Sequence, residues 1–170
     1  MTFVDKEFIK NCLKLKALNN YERFVLLAMI EGISARAARK YVGGTFHKFY
    51  KTKKILRNFV EYRILLLRNR NAIRKFLKNC LTKHQYKIFS KFMLFPIRSS
   101  GWYAKRFNLR VNNFGSCDSL IRLVERSLER VKKNINKIET SQAFVYRRFF
   151  ELFIKIAFKG RFERKWKKYL

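Results

Sequence analysis

The chain is 170 residues long, 48% hydrophobic, and carries 41 Lys and Arg against 11 Asp and Glu, a formal net charge of +30. That length and apolar content suffice for one medium domain with a buried core, so the chain need not be disordered. A charge of this size repels itself, which directs attention to polyanionic partners, and RNA carries one negative charge per nucleotide.

Taken in chain order, Met1 to Glu7 include two acids, Asp5 and Glu7, and do not resemble an Arg-rich, acid-poor targeting peptide. A protein working in an organelle would then be made there or have shed its presequence. From there the pattern reads as almost all helix, with one Pro and six Gly in the whole chain. Tyr21 to Glu31 carry Phe24, Leu27 and Ala28 at helical spacing. Gly32 follows as a C-terminal stop, and Ser34 is an N-cap for a short helix from Ala35 to Val42 that runs into Gly43-Gly44. The spacing thus predicts a helix, a tight turn and a helix.

From Lys53 to Leu67 the stripe is Ile55, Phe59, Val60, Ile64 and Leu67, and a second holds Ile73, Phe76, Leu77 and Cys80. After Pro96 the chain is expected to be irregular, broken by Ser99-Ser100-Gly101 and Asn112-Asn113. Leu120, Val124, Leu128, Val131, Ile135 and Ile138 then recur every three to four residues, as an amphipathic helix requires. A last helix is expected over Gln142 to Phe158, before a basic, aromatic tail. The fold class is therefore mostly α, with a helix-turn-helix (helix-two-turn-helix-like) N-terminal part, a basic irregular middle and a helical C-terminal extension. The corresponding divisions are 1–98, 99–117 and 118–170.

Several function classes have little to stand on. A membrane span needs about 20 apolar residues in a row, whereas charge-free runs such as Phe24–Ile30 and Thr140–Tyr146 are seven residues long. The cysteines, Cys12, Cys80 and Cys117, form no CxxC pair and have only His47 and His84 as companions, so no metal site is expected. They read as free thiols in a reducing compartment. No paired carboxylates, nucleophile–base set or Gly-rich phosphate loop is evident. No catalytic residue and no cofactor is expected, and the chain does not read as an enzyme.

The charge is unevenly spread. Between Tyr62 and Cys117 there is no acid, against thirteen Lys and Arg, while the part from Asp118 onward holds six of the eleven acids. The middle is expected to face a polyanion, and the helices after Asp118 to pack against protein. Basic residues alternate with aromatics at Phe46–Lys51, Trp102–Phe107 and Arg161–Trp166, where cations can hold phosphate while rings stack on unpaired bases. The same clusters also fit core aromatics beside a solvated charged face.

Two stretches resemble the universal small-subunit ribosomal protein S-thirteen family. Leu26-Leu27-Ala28-Met29-Ile30-Glu31-Gly32-Ile33-Ser34, followed by Arg36, Ala38, Arg39 and Lys40, is similar to the family's helix, Ile-x-Gly-Ile-Gly turn and basic short helix. Tyr86-Lys87 before Phe95-Pro96-Ile97-Arg98 is similar to its Tyr-Arg-Gly-x-Arg-His and Leu-Pro-Val-Arg-Gly-Gln pair. Ser34 stands in for the turn's second glycine, Ile88 for the glycine after Tyr-Arg, Ser90 and Lys91 for Arg-His, and Ser99-Ser100 for Gly-Gln. The match spans Leu13 to Arg110. A weaker similarity, Lys155 to Phe162, is to a strand of ribosomal protein S-three.

The S-thirteen resemblance implies a structural constituent of a mitochondrial ribosome small subunit, in the matrix and organelle-encoded or imported. It would bind ribosomal RNA in the head beside S-nineteen-like proteins, and approach the large subunit's central protuberance and the peptidyl-site tRNA. Its RNA-binding residues would be Gly32, Ile33, Ser34, Arg36, Arg39, Lys40, Lys87, Lys91 and Arg98, with Trp102, Lys105, Arg106 and Arg110 in a tail facing RNA or tRNA. The alternatives are an organellar RNA-processing or ribosome-assembly factor, a peripheral subunit on anionic lipid, and, last, a nucleic-acid enzyme.

Overall fold

A computed structural model of the chain describes residues 10–12, 14, 15, 18–94, 96–98, 100–113, 115 and 117–158. Among these the chain is helical, in the order α1 (Asn20–Glu31), α2 (Ala35–Val42), α3 (Phe46–Arg68), α4 (Arg70–Cys80), α5 (Lys83–Phe92), α6 (Ser100–Arg106), α7 (Asp118–Ile135) and α8 (Gln142–Ala157). The contacts divide it into two compact units, Met1–Ile64 and Leu65–Leu170, with the division falling inside α3. That is elsewhere than the boundaries expected after 98 and 117.

In the first unit, local chemistry sets the helix ends. Asn19 caps α1 reciprocally: its side chain accepts from the Glu22 N–H while Glu22 Oε1 accepts from the Asn19 N–H, both at 2.8 Å. Such a box satisfies two amide hydrogens that a helix start leaves open. Gly32 ends α1 at φ +68, and both its own N–H and that of Ile33 donate to the Ala28 carbonyl. Ser34 then caps α2 by accepting from Ala37 N–H at 3.2 Å, and Thr45 opens α3 in the same way by accepting from Lys48 N–H at 3.1 Å.

The buried faces differ in phase from the expected stripes. On α1 Val25, Leu26, Ala28 and Ile30 are buried, while Phe24 is half-buried and Leu27 exposed. On α3 Leu56, Phe59, Val60, Tyr62 and Leu66 are buried, Ile55 and Ile64 half-buried, and Leu67 exposed.

The second unit is organised around α7, which lies against α4, α5, α6 and α8. Leu120, Val124, Leu128, Val131 and Ile135 form its buried face, and the buried Ser127 hydroxyl is satisfied by donating to Leu123 O at 2.7 Å. An aromatic cluster fills the space beside it. Phe153 meets Phe89 at 5.2 Å and Phe92 at 5.9 Å, Phe76 stacks on Tyr146 at 4.6 Å, and Phe92 meets Tyr103 at 4.6 Å. Each large side chain fully buried here stabilises by roughly 1.5–3 kcal/mol. Two tyrosine hydroxyls donate to carbonyls, Tyr146 to Ala72 and Tyr103 to Phe92, so the buried rings carry no wasted polar end.

Three expectations are corrected. The segment expected to be irregular contains α6, whose Gly101, Tyr103 and Ala104 are buried. The start at Ser100 is tied down where Ser100 Oγ accepts from Cys117 N–H at 3.0 Å. The helices after Asp118, expected to seek a protein neighbour, spend their apolar faces on α4, α5 and α6 of the same unit. Lys155 to Ala157, similar in sequence to a ribosomal strand, close α8 as helix; residues 159–162 of that stretch, and the cluster Arg161–Trp166, lie outside the described residues. So do Leu13, Phe95 and Ser99.

Candidate nucleic-acid interface

The first unit carries the turn and short helix singled out by sequence. α2 buries Ala35 and Ala38 and exposes Arg36, Arg39 and Lys40. Gly32 and Ser34 are exposed and Ile33 is half-buried. Arg36 stands three and four residues before Arg39 and Lys40, so the three cations crowd one side of a helix that has no acid. Like charges at that spacing destabilise a helix by roughly 0.2–0.5 kcal/mol per pair. Arg39 of this helix lies over the Phe46 ring at 4.9 Å, and Lys48 of α3 lies over the Tyr21 ring at 4.2 Å. Burial pushes the Tyr21 hydroxyl above its ordinary pKa.

In the second unit the expected residues fall on α5, α6 and the chain around them. Lys87 and Lys91 are exposed on α5, opposite the buried Phe89 and Phe92. Lys105, Arg106 and Arg110 are exposed, and Arg98 is half-buried. Trp102 is half-buried, with the Arg106 guanidinium 3.3 Å from its ring centroid, so one ring face is already covered. Lys91 joins α5 to α6, lying 5.4 Å from the Phe107 ring, which in turn stacks on Tyr103. The structure thus brings Lys91 together with the α6 cluster; the α1–α2 turn belongs to the other unit.

Sequence reasoning missed the fuller arrangement. α4 buries Ile73, Leu77 and Cys80 and exposes Arg70, Arg74, Lys75 and Lys78; α5 exposes Lys83, His84, Lys87 and Lys91. Arg70, Arg74 and Lys78 step along α4 every four residues, as Lys83, Lys87 and Lys91 do along α5. Because residues four apart sit on one side of a helix, each helix presents a cationic stripe. The two helices pack together, joined by Leu81-Thr82, and Lys78 reaches over the α5 ring of Tyr86 at 5.6 Å. Thr82 and Gln85 fix the start of α5 with a second reciprocal cap. The four-residue spacing was the available signal, within a stretch already known to lack acids.

Such a surface can hold successive phosphates through charge-assisted hydrogen bonds. His47 and His84 are exposed. Among the described residues, no group of three or more His, Cys, Asp or Glu side chains could hold a metal ion, and no helix is long and apolar enough to cross a membrane. The three cysteines are buried and unpaired, and burial pushes the Cys12 and Cys80 thiols up to about 11, far from the range of a reactive thiolate. No protein-family model, curated protein or solved structure matches this chain.

Proposed function

We propose that the chain is a non-catalytic RNA-binding protein and a structural constituent of a ribosomal small subunit. The observation that carries the RNA-binding part is the pair of cationic stripes on α4 and α5, exposed in a stretch from Tyr62 to Cys117 that has no carboxylate to neutralise it. The narrower ribosomal reading draws support from the α1–Gly32–α2 geometry, which has the form that the resemblance to the S-thirteen family implies. On that reading the partners are ribosomal RNA in the subunit head and S-nineteen-like proteins. The large-subunit central protuberance and the peptidyl-site tRNA lie within reach, and the compartment is the mitochondrial matrix.

A second reading, an organellar RNA-processing or ribosome-assembly factor, is favoured by one observation. The helices after Asp118 complete the chain's own core and so leave less apolar surface for a permanent neighbour. Sedimentation of an organelle lysate separates the two. Stoichiometric co-migration with small subunits that survives high salt is the expected result. A light-fraction peak, or association lost at moderate salt, would replace the structural reading with the transient factor.

A further inference from the structure

The described residues expose eight large hydrophobic side chains, and Tyr41, Val42, Phe46 and Tyr50 are four of them. Half of these exposed side chains therefore come from ten consecutive residues. Tyr41, in the last turn of α2, is 80% exposed; Tyr50 is 59% and Phe46 42% exposed. Isolated surface aromatics need no explanation, whereas a concentration of them marks a contact site. Phe46 and Tyr50 lie four apart on α3 and so neighbour each other on one side of the helix. Phe49, between them, turns inward and is buried, and meets Tyr50 edge-on at 5.8 Å. Arg39 crosses from α2 to lie over Phe46. Gly43 and Gly44, both at positive φ, make the turn between Tyr41 and Phe46.

The charge around these rings has one sign. No acid occurs between Glu31 and Glu61, and Arg36, Arg39, Lys40, Lys48 and Lys51 are all exposed. A protein partner or a membrane core would pair with the apolar rings but leave this charge unanswered. Duplex RNA would answer the charge but hide its base faces from the rings. Unpaired nucleotides offer both a π face and a phosphate at each step. The stripes of α4 and α5 make the contrast: their aromatic neighbours Phe76, Tyr86, Phe89 and Phe92 are half-buried or buried, leaving cations alone to meet a backbone.

We infer that the α2–α3 junction is a single-strand site, where unpaired bases stack on Tyr41, Phe46 and Tyr50 while the flanking cations hold their phosphates, and that the α4–α5 stripes serve the RNA backbone irrespective of pairing. The inference rests on the RNA-binding reading above and adds the class of RNA and the place that takes it. Base stacking is tolerant of sequence, so the site selects for unpairedness rather than for a particular base.

The test uses the full chain, a short labelled unstructured RNA and an RNA duplex of the same length, read by fluorescence anisotropy. The variants are Tyr41→Ala/Tyr50→Ala and Tyr41→Phe/Tyr50→Phe, both at exposed helical positions that tolerate either residue. Each lost stacking partner is expected to weaken single-strand binding roughly tenfold, hence about a hundredfold for the double alanine variant. Duplex affinity and the salt slope should stay near wild type, and the phenylalanine variant, which keeps both rings, should bind like wild type. Equal losses on both RNAs, or no loss, would overturn the inference while leaving RNA binding intact. Unchanged RNA binding with lost binding to anionic phospholipid vesicles would overturn it in favour of a lipid surface. A wild-type chain without salt-dependent affinity for either RNA would bring down the RNA-binding reading and this inference together.

Discussion

Replacing Arg74 and Lys87 with Gln should make the protein more stable and a weaker RNA binder. Arg74 stands four residues from both Arg70 and Lys78, and Lys87 four from both Lys83 and Lys91. Two substitutions therefore remove four like-charge neighbours. Each such pair costs a helix roughly 0.2–0.5 kcal/mol, so relief totals about 1–2 kcal/mol, and Gln matches Arg and Lys in helix propensity to within a few tenths of a kcal/mol. The cation–ring contacts of Lys78 with Tyr86 and Lys91 with Phe107 stay in place. Thermal melts at low salt should rise by a few degrees for a chain of this size, at roughly 2–4 °C per kcal/mol. The gain should fade near 1 M salt, where charges beyond about 3 Å are screened. Over the same series the salt slope of RNA binding should fall by roughly 0.7–0.9 for each cation removed, about 1.4–1.8 in all. A variant that melts lower at low salt would show that the stripes hold the fold together. An unchanged slope would show that RNA does not lie along them. Either outcome refutes the reasoning.

Phe153→Ala removes a fully buried ring that meets Phe89, Phe92 and Phe158 and should cost about 3–5 kcal/mol in urea unfolding; a loss below 1 kcal/mol would mean the aromatic cluster is loosely packed. Gly32→Ala should cost about 1–2 kcal/mol because the residue sits at φ +68, although no atom lies within 4 Å of an added Cβ. Gly32→Asn should cost less, since Asn tolerates that conformation, and equal losses for Ala and Asn would point to a clash instead. Folding holds the Cys12 and Cys80 protons more tightly than the ordinary thiol at 9.0, raising both to about 11. Their contribution to stability is thus full below about pH 9 and is lost as pH climbs towards 11. Melts across that window should fall, and Cys80→Ala should flatten part of the fall; an unchanged profile in that variant would put the alkaline sensitivity elsewhere.

What was legible in the sequence follows the range over which each signal acts. Cap chemistry is local, so Ser34 and Gly43 bracket α2 as read, and Gly32 ends α1 where a left-handed residue is needed. The phase of α1 was not legible, because Phe24 to Ile30 is an unbroken apolar run and a helix apolar on every side carries no direction. Ser100-Gly101 reads as a helix breaker by propensity, yet α6 begins there. Any Cβ at Gly101 would collide with the Gly115 carbonyl, so tertiary packing makes use of the glycine that local preference would penalise. The stripes of α4 and α5 were encoded in plain four-residue spacing. They become visible as one surface only when Thr82 is known to restart the helix and both buried faces are fixed.

The largest misreading concerned α7 and α8. Their balanced charge and strong apolar periodicity suggested helices that meet another protein, and periodicity cannot distinguish a face buried against a neighbour from one buried within the chain. Val124, Leu128 and Val131 belong to the core of the second unit, so replacing them together with Asp should unfold that unit rather than release a partner. This changes what the charge distribution means. The acids are richest in the segment that supplies the core-forming helices α7 and α8, and they are absent from the helices that cover it, α4, α5 and α6. Two helices whose cations repel each other at every turn, laid over a core able to hold them there, lose stability that an external polyanion can return. Ligand binding and fold stability are then linked, and the chain is expected to be most stable when its partner is in place.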